Sequence, residues 1–155
     1  MKWKVKKRNV TTNRSNIIKN TINNNFKKFG TFDPFLLAKN LKVRIEYCQF
    51  NGNPLGKAFC HDIFPTIMLD YSIKNDPQEF FICAHELCHI LNHSHAKSLY
   101  KLNQFAKANM EIEANYFASE LVIEDFKQSY NKYPDNFEEI QKNYGVPNNL
   151  IENFF

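Results

Sequence analysis

Phe80-Phe81-Ile82-Cys83-Ala84-His85-Glu86-Leu87-Cys88-His89-Ile90-Leu91-Asn92-His93 decides how this chain is read. Asp76-Pro77 supplies a helix start just before it. Phe80, Phe81, Ala84, Leu87, Cys88, Ile90 and Leu91 then recur at helical spacing, which predicts a helix to about Ser94. Inside that helix, His85-Glu86-Leu87-Cys88-His89 is an HExxH motif. Residues four apart share a helix face, so both imidazoles can meet one metal ion. Zinc takes neutral imidazole nitrogen at about 2.0–2.1 Å, and a catalytic zinc keeps one position for water. Glu86, next to the first histidine, is placed to take a proton from that water rather than to coordinate. Two histidines at helical spacing without a metal are the ordinary alternative; the apolar Leu87 and Cys88 between them suit a buried helix.

A tetrahedral site needs a third protein ligand. His93 and His95 lie too close along the same helix, the Cα of His93 being about 6 Å beyond that of His89 by rise alone. A second helix is predicted over Met110 to Val122 from Ile112, Ala114, Phe117, Ala118, Leu121 and Val122. It offers two carboxylates, Glu111 and Glu113, and residues 111 and 115 share a face apart from the apolar Phe117/Leu121 one. On the residues alone, either carboxylate closes the site.

Outward from these helices, Thr11 to Phe29 has roughly helical spacing, and Asp33-Pro34 opens a short helix through Ala38. Val43, Ile45 and Tyr47 alternate with polar residues as in a half-buried strand. The turn Asn51-Gly52-Asn53-Pro54 separates it from two further strand candidates, Lys57 to Cys60 and Thr66 to Leu69. Ser98 to Lys107 reads as loop or irregular helix. Asp135 to Tyr144 reads as a helix stopped by Gly145 and Pro147, with a last apolar turn at Leu150, Ile151 and Phe154. The fold class is α+β: a short antiparallel sheet of about three strands packed on a helical layer. Residues 1–30 read as a basic, Asn-rich arm or helix, and residues 31–155 as a single metallopeptidase-like domain.

The chain has 155 residues, 43% of them hydrophobic and 23% charged, a globular composition rather than a disordered one. No apolar run approaches the ~20 residues of a membrane helix, and Met1 to Asn20 lacks an apolar signal-peptide core. Four cysteines, Cys48, Cys60, Cys83 and Cys88, show no CxxC spacing, which points to free thiols and a cytoplasmic location. The net charge of +4 comes from the N-terminus, where residues 1–30 hold nine Lys or Arg and no acid. Lys2 to Arg8 has the charge to touch nucleic acid or an acidic partner. No basic stripe continues into the body, so a solvated terminus is the simpler expectation.

Residues 80–93, followed by Glu111-Ile112-Glu113-Ala114-Asn115-Tyr116-Phe117-Ala118-Ser119-Glu120-Leu121, resemble the ImmA/IrrE family of zinc metallopeptidases. That family carries a stretch like F-x-x-A-H-E-L-G-H-x-x-x-H, then E-x-x-A-(N/D/S)-x-F-A-x-x-L on the next helix. The resemblance spans roughly residues 30 to 125. It implies a Zn²⁺ held by His85, His89 and Glu111, the Glu three residues before the Ala, with Glu113 as second choice. Glu86 is then the catalytic base, and His93, where the family commonly has His, a candidate to stabilise the oxyanion. The implied substrate is a helix-turn-helix repressor, cleaved to relieve repression in a mobile element, phage or stress locus.

Two positions depart from the pattern. Cys88 stands where the family usually has Gly, and Leu121-Val122-Ile123-Glu124 replaces an ending that often carries proline. The first 30 residues are too few for the DNA-binding module sometimes fused to such peptidases. Tyr116 reads as a helix-surface aromatic packing on the sheet, and Cys60-His61 or Cys83 with Cys88 as weaker metal alternatives. The competing function is a non-catalytic, metal-containing module that docks on a regulator or nucleic acid. Glu86 speaks against it, since a structural site needs only ligands.

Overall fold

A computed structural model describes residues 3–60, 63–94 and 103–154. Helix α1 (Thr12–Phe29) starts where the Thr11 hydroxyl accepts the Arg14 N–H, and ends on Gly30 in the left-handed region. Helix α2 (Pro34–Asn40) starts on Asp33, whose carboxylate accepts from Phe35 N and Leu36 N. Strands β1 (Arg44–Cys48), β2 (Gly56–Phe59) and β3 (Thr66–Asp70) follow, then a 3-10 turn, Tyr71–Ile73. Helix α3 (Gln78–His93) carries the HExxH motif, and α4 (Gln104–Tyr130) runs beside it. Helix α5 (Phe137–Tyr144) and a 3-10 segment, Asn148–Asn153, complete the described chain.

The fold is α+β, as expected, but the sheet is mixed rather than antiparallel. Its order is β1-β3-β2. β3 pairs parallel with β1, Ile45 opposite Ile67, and antiparallel with β2, Ala58 opposite Ile67. The most apolar strand takes the centre: Ile67 and Leu69 of β3 are fully buried, whereas Lys57 on β2 is exposed. Residues 49–65 are long enough to cross from β1 to the far side of β3, so β1 and β3 can lie parallel without a helical connection. β2 is left as an edge strand, and it lies over α3.

Helix α4 is longer than the apolar period between Met110 and Val122 indicates. Asn103 caps its start by accepting from Phe105 N and Ala106 N, and Asn131 ends it in the left-handed region. Where the family often breaks the helix with proline, this chain continues, burying Ile123 and Phe126 in the core. Gly145, at the left-handed end of α5, abuts the start of α3: a Cβ there would overlap the Gln78 backbone. That close approach fixes the N-terminal end of the HExxH helix.

Residues 3–10 differ from a solvated terminus. Trp3, Val5 and Val10 are buried, while Lys4 and Lys6 between them are exposed. Lys6 N donates to Asn153 O (2.7 Å), Arg8 pairs with Glu152, and the Trp3 ring meets Phe154 edge-on. The alternation of apolar and basic residues docks one face on the C-terminal segment. Helix α1 then lays Ile18 and Ile22 into the same core. None of the helices among the described residues is long and apolar enough to cross a membrane.

Candidate metal centre

Helices α3 and α4 bring three sequence-predicted ligands to one point. His85 Nε2 lies 3.0 Å and His89 Nε2 3.2 Å from the two oxygens of the Glu111 carboxylate, and the two Nε2 atoms are 3.3 Å apart. Donors bound at about 2.0–2.1 Å to a tetrahedral ion lie about 3.3–3.4 Å from one another, so this triangle has the size of one tetrahedral face. Glu113, the alternative third ligand, is turned away, and among the described residues His85, His89 and Glu111 are the group whose ligand atoms converge.

The donor chemistry fits a cation. Asn115 Oδ1 can only accept, so His85 Nδ1, 2.8 Å away, carries the proton. His85 Nε2 thus faces an anionic oxygen, and a positive charge between them, a proton or a metal ion, satisfies both. His89 has a matching support: its Nδ1 lies 2.9 Å from His93 Nδ1. Second-side hydrogen bonds of this kind set which ring nitrogen faces a metal. Burial opposes charging His85, but the Glu111 hydrogen bond and the Glu86 and Glu111 charges outweigh it and raise its pKa. Burial likewise opposes ionising Glu111, yet the two imidazoles hold its carboxyl far below the usual range.

Glu86 does not join the triangle. It is buried, lining a cleft of about 410 Å³ with His89, His93, Glu111, Gly56, Lys57, Ala58 and other residues. Burial raises its pKa, against the opposing pull of His85 and His89. Gly56 permits this placement, since a Cβ on it would stand 2.5 Å from Ile82 Cγ2 and 3.1 Å from Glu86 Cγ.

His93, expected near the reacting oxyanion, also lines the cleft, but both its ring nitrogens are engaged. Nδ1 meets His89, and Nε2 lies 2.7 Å from Glu113 Oε2. Burial lowers its pKa, which keeps the ring neutral against the pull of Glu113. Glu113 in turn receives Arg14 Nε at 2.8 Å and Nη2 at 3.0 Å, which with His93 holds its carboxyl down at about 2 despite burial. Tyr116 is buried in the core rather than lying on the helix surface. Burial pushes the Cys83 and Cys88 thiols well up, so neither is disposed to ligate as thiolate. Cys60 lines the cleft, while its sequence neighbour His61, like His95, lies outside the described residues.

Sequence reasoning missed two residues here. Asn115 was visible only as sharing a face with Glu111, and Arg14 sat in a basic segment whose partner is 99 residues away.

Comparison with known proteins bears on the same region. A peptidase family model described as the IrrE N-terminal-like domain matches residues 38–155. A curated relative, "uncharacterized immunity region protein 2" of Bacillus phage phi105, is 27% identical over 137 residues, 86% of this chain and 86% of its own length. No solved structure matches.

Proposed function

Because the chain belongs to the peptidase family of the IrrE N-terminal-like domain, we propose that it is a zinc-dependent endopeptidase that cleaves a helix-turn-helix repressor. The observation that carries the reading is the convergence of two imidazole nitrogens and one carboxylate beside a separate, buried carboxylate. His85, His89 and Glu111 would hold the metal, and two nitrogens with one oxygen suit Zn²⁺. Zinc there would supply a Lewis acid for a substrate carbonyl and lower the pKa of water. Asn115 and His93 take the Nδ1 protons of His85 and His89, leaving each Nε2 as donor to the metal. Glu86 accepts a proton from the attacking water and passes it to the leaving amine. Its raised pKa suits both halves of that task.

A protein substrate accords with the edge position of β2 along the cleft, where an extended peptide can lie. The similarity to a phage immunity-region protein supports a regulator of that kind. Arg8 and Arg14 of the basic N-terminus are engaged with Glu152 and Glu113, leaving fewer of its cations for nucleic acid. Four cysteines without CxxC spacing suit a cytoplasmic enzyme.

Glu86→Gln tests the reading. The variant should bind zinc as wild type does, bind a candidate helix-turn-helix repressor in a pull-down, and cleave it at least ~10²-fold more slowly. Equal cleavage by wild type and variant would remove Glu86 from the mechanism. Zinc binding with no cleavage by wild type would leave a metal-containing docking module.

A further inference from the structure

The metal triangle has a back wall that reaches outside the family-matched segment. His89 Nδ1 meets His93 Nδ1 at 2.9 Å, and His93 Nε2 meets Glu113 Oε2 at 2.7 Å. Arg14 closes the line with a fork, Nε to Oε1 at 2.8 Å and Nη2 to Oε2 at 3.0 Å. Arg14 belongs to α1, before the matched residues 38–155. We propose that Arg14 is a positioning residue of the metal centre: through Glu113 and His93 it fixes the ring of His89, so helix α1 is part of the site. This rests on the reading that His85, His89 and Glu111 hold a metal.

The chemistry runs in one direction along the line. A carboxylate gripped at both oxygens has a fixed plane, and its Oε2 accepts the Nε2–H of His93. With that proton committed, His93 Nδ1 is a lone pair and accepts the Nδ1–H of His89. His89 is left with a lone pair on Nε2, the atom aimed at Glu111 and His85. Without Arg14, Glu113 loses the contact that sets its plane, and His93 and His89 lose their reference. Asn115 performs the equivalent service for His85 with one hydrogen bond. His89 needs three residues because the nearest group behind it is another imidazole, which can present either nitrogen as donor.

The test compares Arg14→Ala, Arg14→Gln and Arg14→Lys with Ile18→Val, which trims a fully buried α1 residue without touching the line. Zinc affinity is read by chelator competition, the site's symmetry by the visible spectrum of the Co²⁺ protein, and folding by thermal melts. Arg14→Ala and Arg14→Gln should bind zinc about 10–100-fold more weakly, with an altered Co²⁺ spectrum. Arg14→Lys, which keeps the charge but loses the fork, should recover part of the affinity. Ile18→Val should melt earlier and bind zinc as wild type does. Wild-type affinity and spectrum in Arg14→Ala would overturn the proposal. So would an equal loss of affinity in Ile18→Val, which would make the effect general loosening of α1. If Arg14→Ala does not fold, the Gln and Lys variants decide the same question. A wild-type protein that takes up neither Zn²⁺ nor Co²⁺ would overturn the metal reading itself, a result distinct from tight binding that ignores Arg14.

Discussion

The side chain of Glu111 is 41% exposed and that of Glu113, two residues further along α4, only 12%. Glu111 looks into the cleft and faces His85 Nε2 and His89 Nε2. Glu113 looks the other way, between α1 and α3, and is matched donor for donor by Arg14 and His93. The front of the helix pair thus gathers groups that one cation would satisfy together. The back is a closed network that satisfies itself. Open ligands belong where a substrate must enter, and closed pairs belong where ligands must be held still.

Removing one member from each side should break the comparison if it is mistaken. The largest effect is expected at the front: Glu111→Ala should lose stoichiometric zinc on dialysis, by elemental analysis, and with it all cleavage. Because that carboxylate is half-buried at the open cleft, the metal-free variant should melt only slightly below metal-free wild type. Retention of zinc in Glu111→Ala with loss in Glu113→Ala would invert the two assignments.

At the back, Glu113→Ala leaves Arg14 and His93 without their shared acceptor. Breaking a buried ion pair from one side costs about 3–5 kcal/mol; here about 2–4 is expected, because the Arg14 side chain stays 32% exposed and regains hydration. Chemical denaturation of the metal-free protein measures it. A cost no larger than that of Glu111→Ala would show that the network is not structural.

These two sides were not equally legible in the sequence. The front is local: His85, Glu86 and His89 lie within five residues, and helical periodicity alone puts the two imidazoles on one face. Glu111 required the family resemblance, because spacing does not distinguish it from Glu113. The back is long-range. Arg14 finds its partner across 99 residues, and nine basic residues in the first thirty concealed it as one charge among many. The burial of Trp3 and Val5 was hidden in the same way, an apolar alternation two residues long masked by lysines. Strand direction failed for another reason. Three strands of four or five residues fix which faces are apolar, and β3 is the most apolar of them, but its parallel pairing with β1 depends on a crossover that no local signal records.

The smallest expected effect sharpens the comparison within the front itself. Gly56 sits on β2 opposite Leu69, against the turn of α3 that carries Glu86. Its backbone has no need of glycine's left-handed freedom; the need is space. A methyl group there would press on Ile82 Cγ2 at 2.5 Å, a branched side chain with little rotamer freedom, and on Glu86 Cγ at 3.1 Å. Gly56→Ala should therefore cost about 1–3 kcal/mol as the edge strand moves off α3. The three atoms nearest that methyl belong to Ile82, Glu86 and Leu69, so zinc affinity should stay at the wild-type value. Glu86 does touch it, and its carboxylate should shift in the cleft, which on the general-base proposal lowers kcat more than KM rises. Steady-state cleavage beside chelator competition separates the two readouts. A fall in zinc affinity with kcat unchanged would mean that β2 supports the ligands rather than the base, and the front of the site would have to be divided differently.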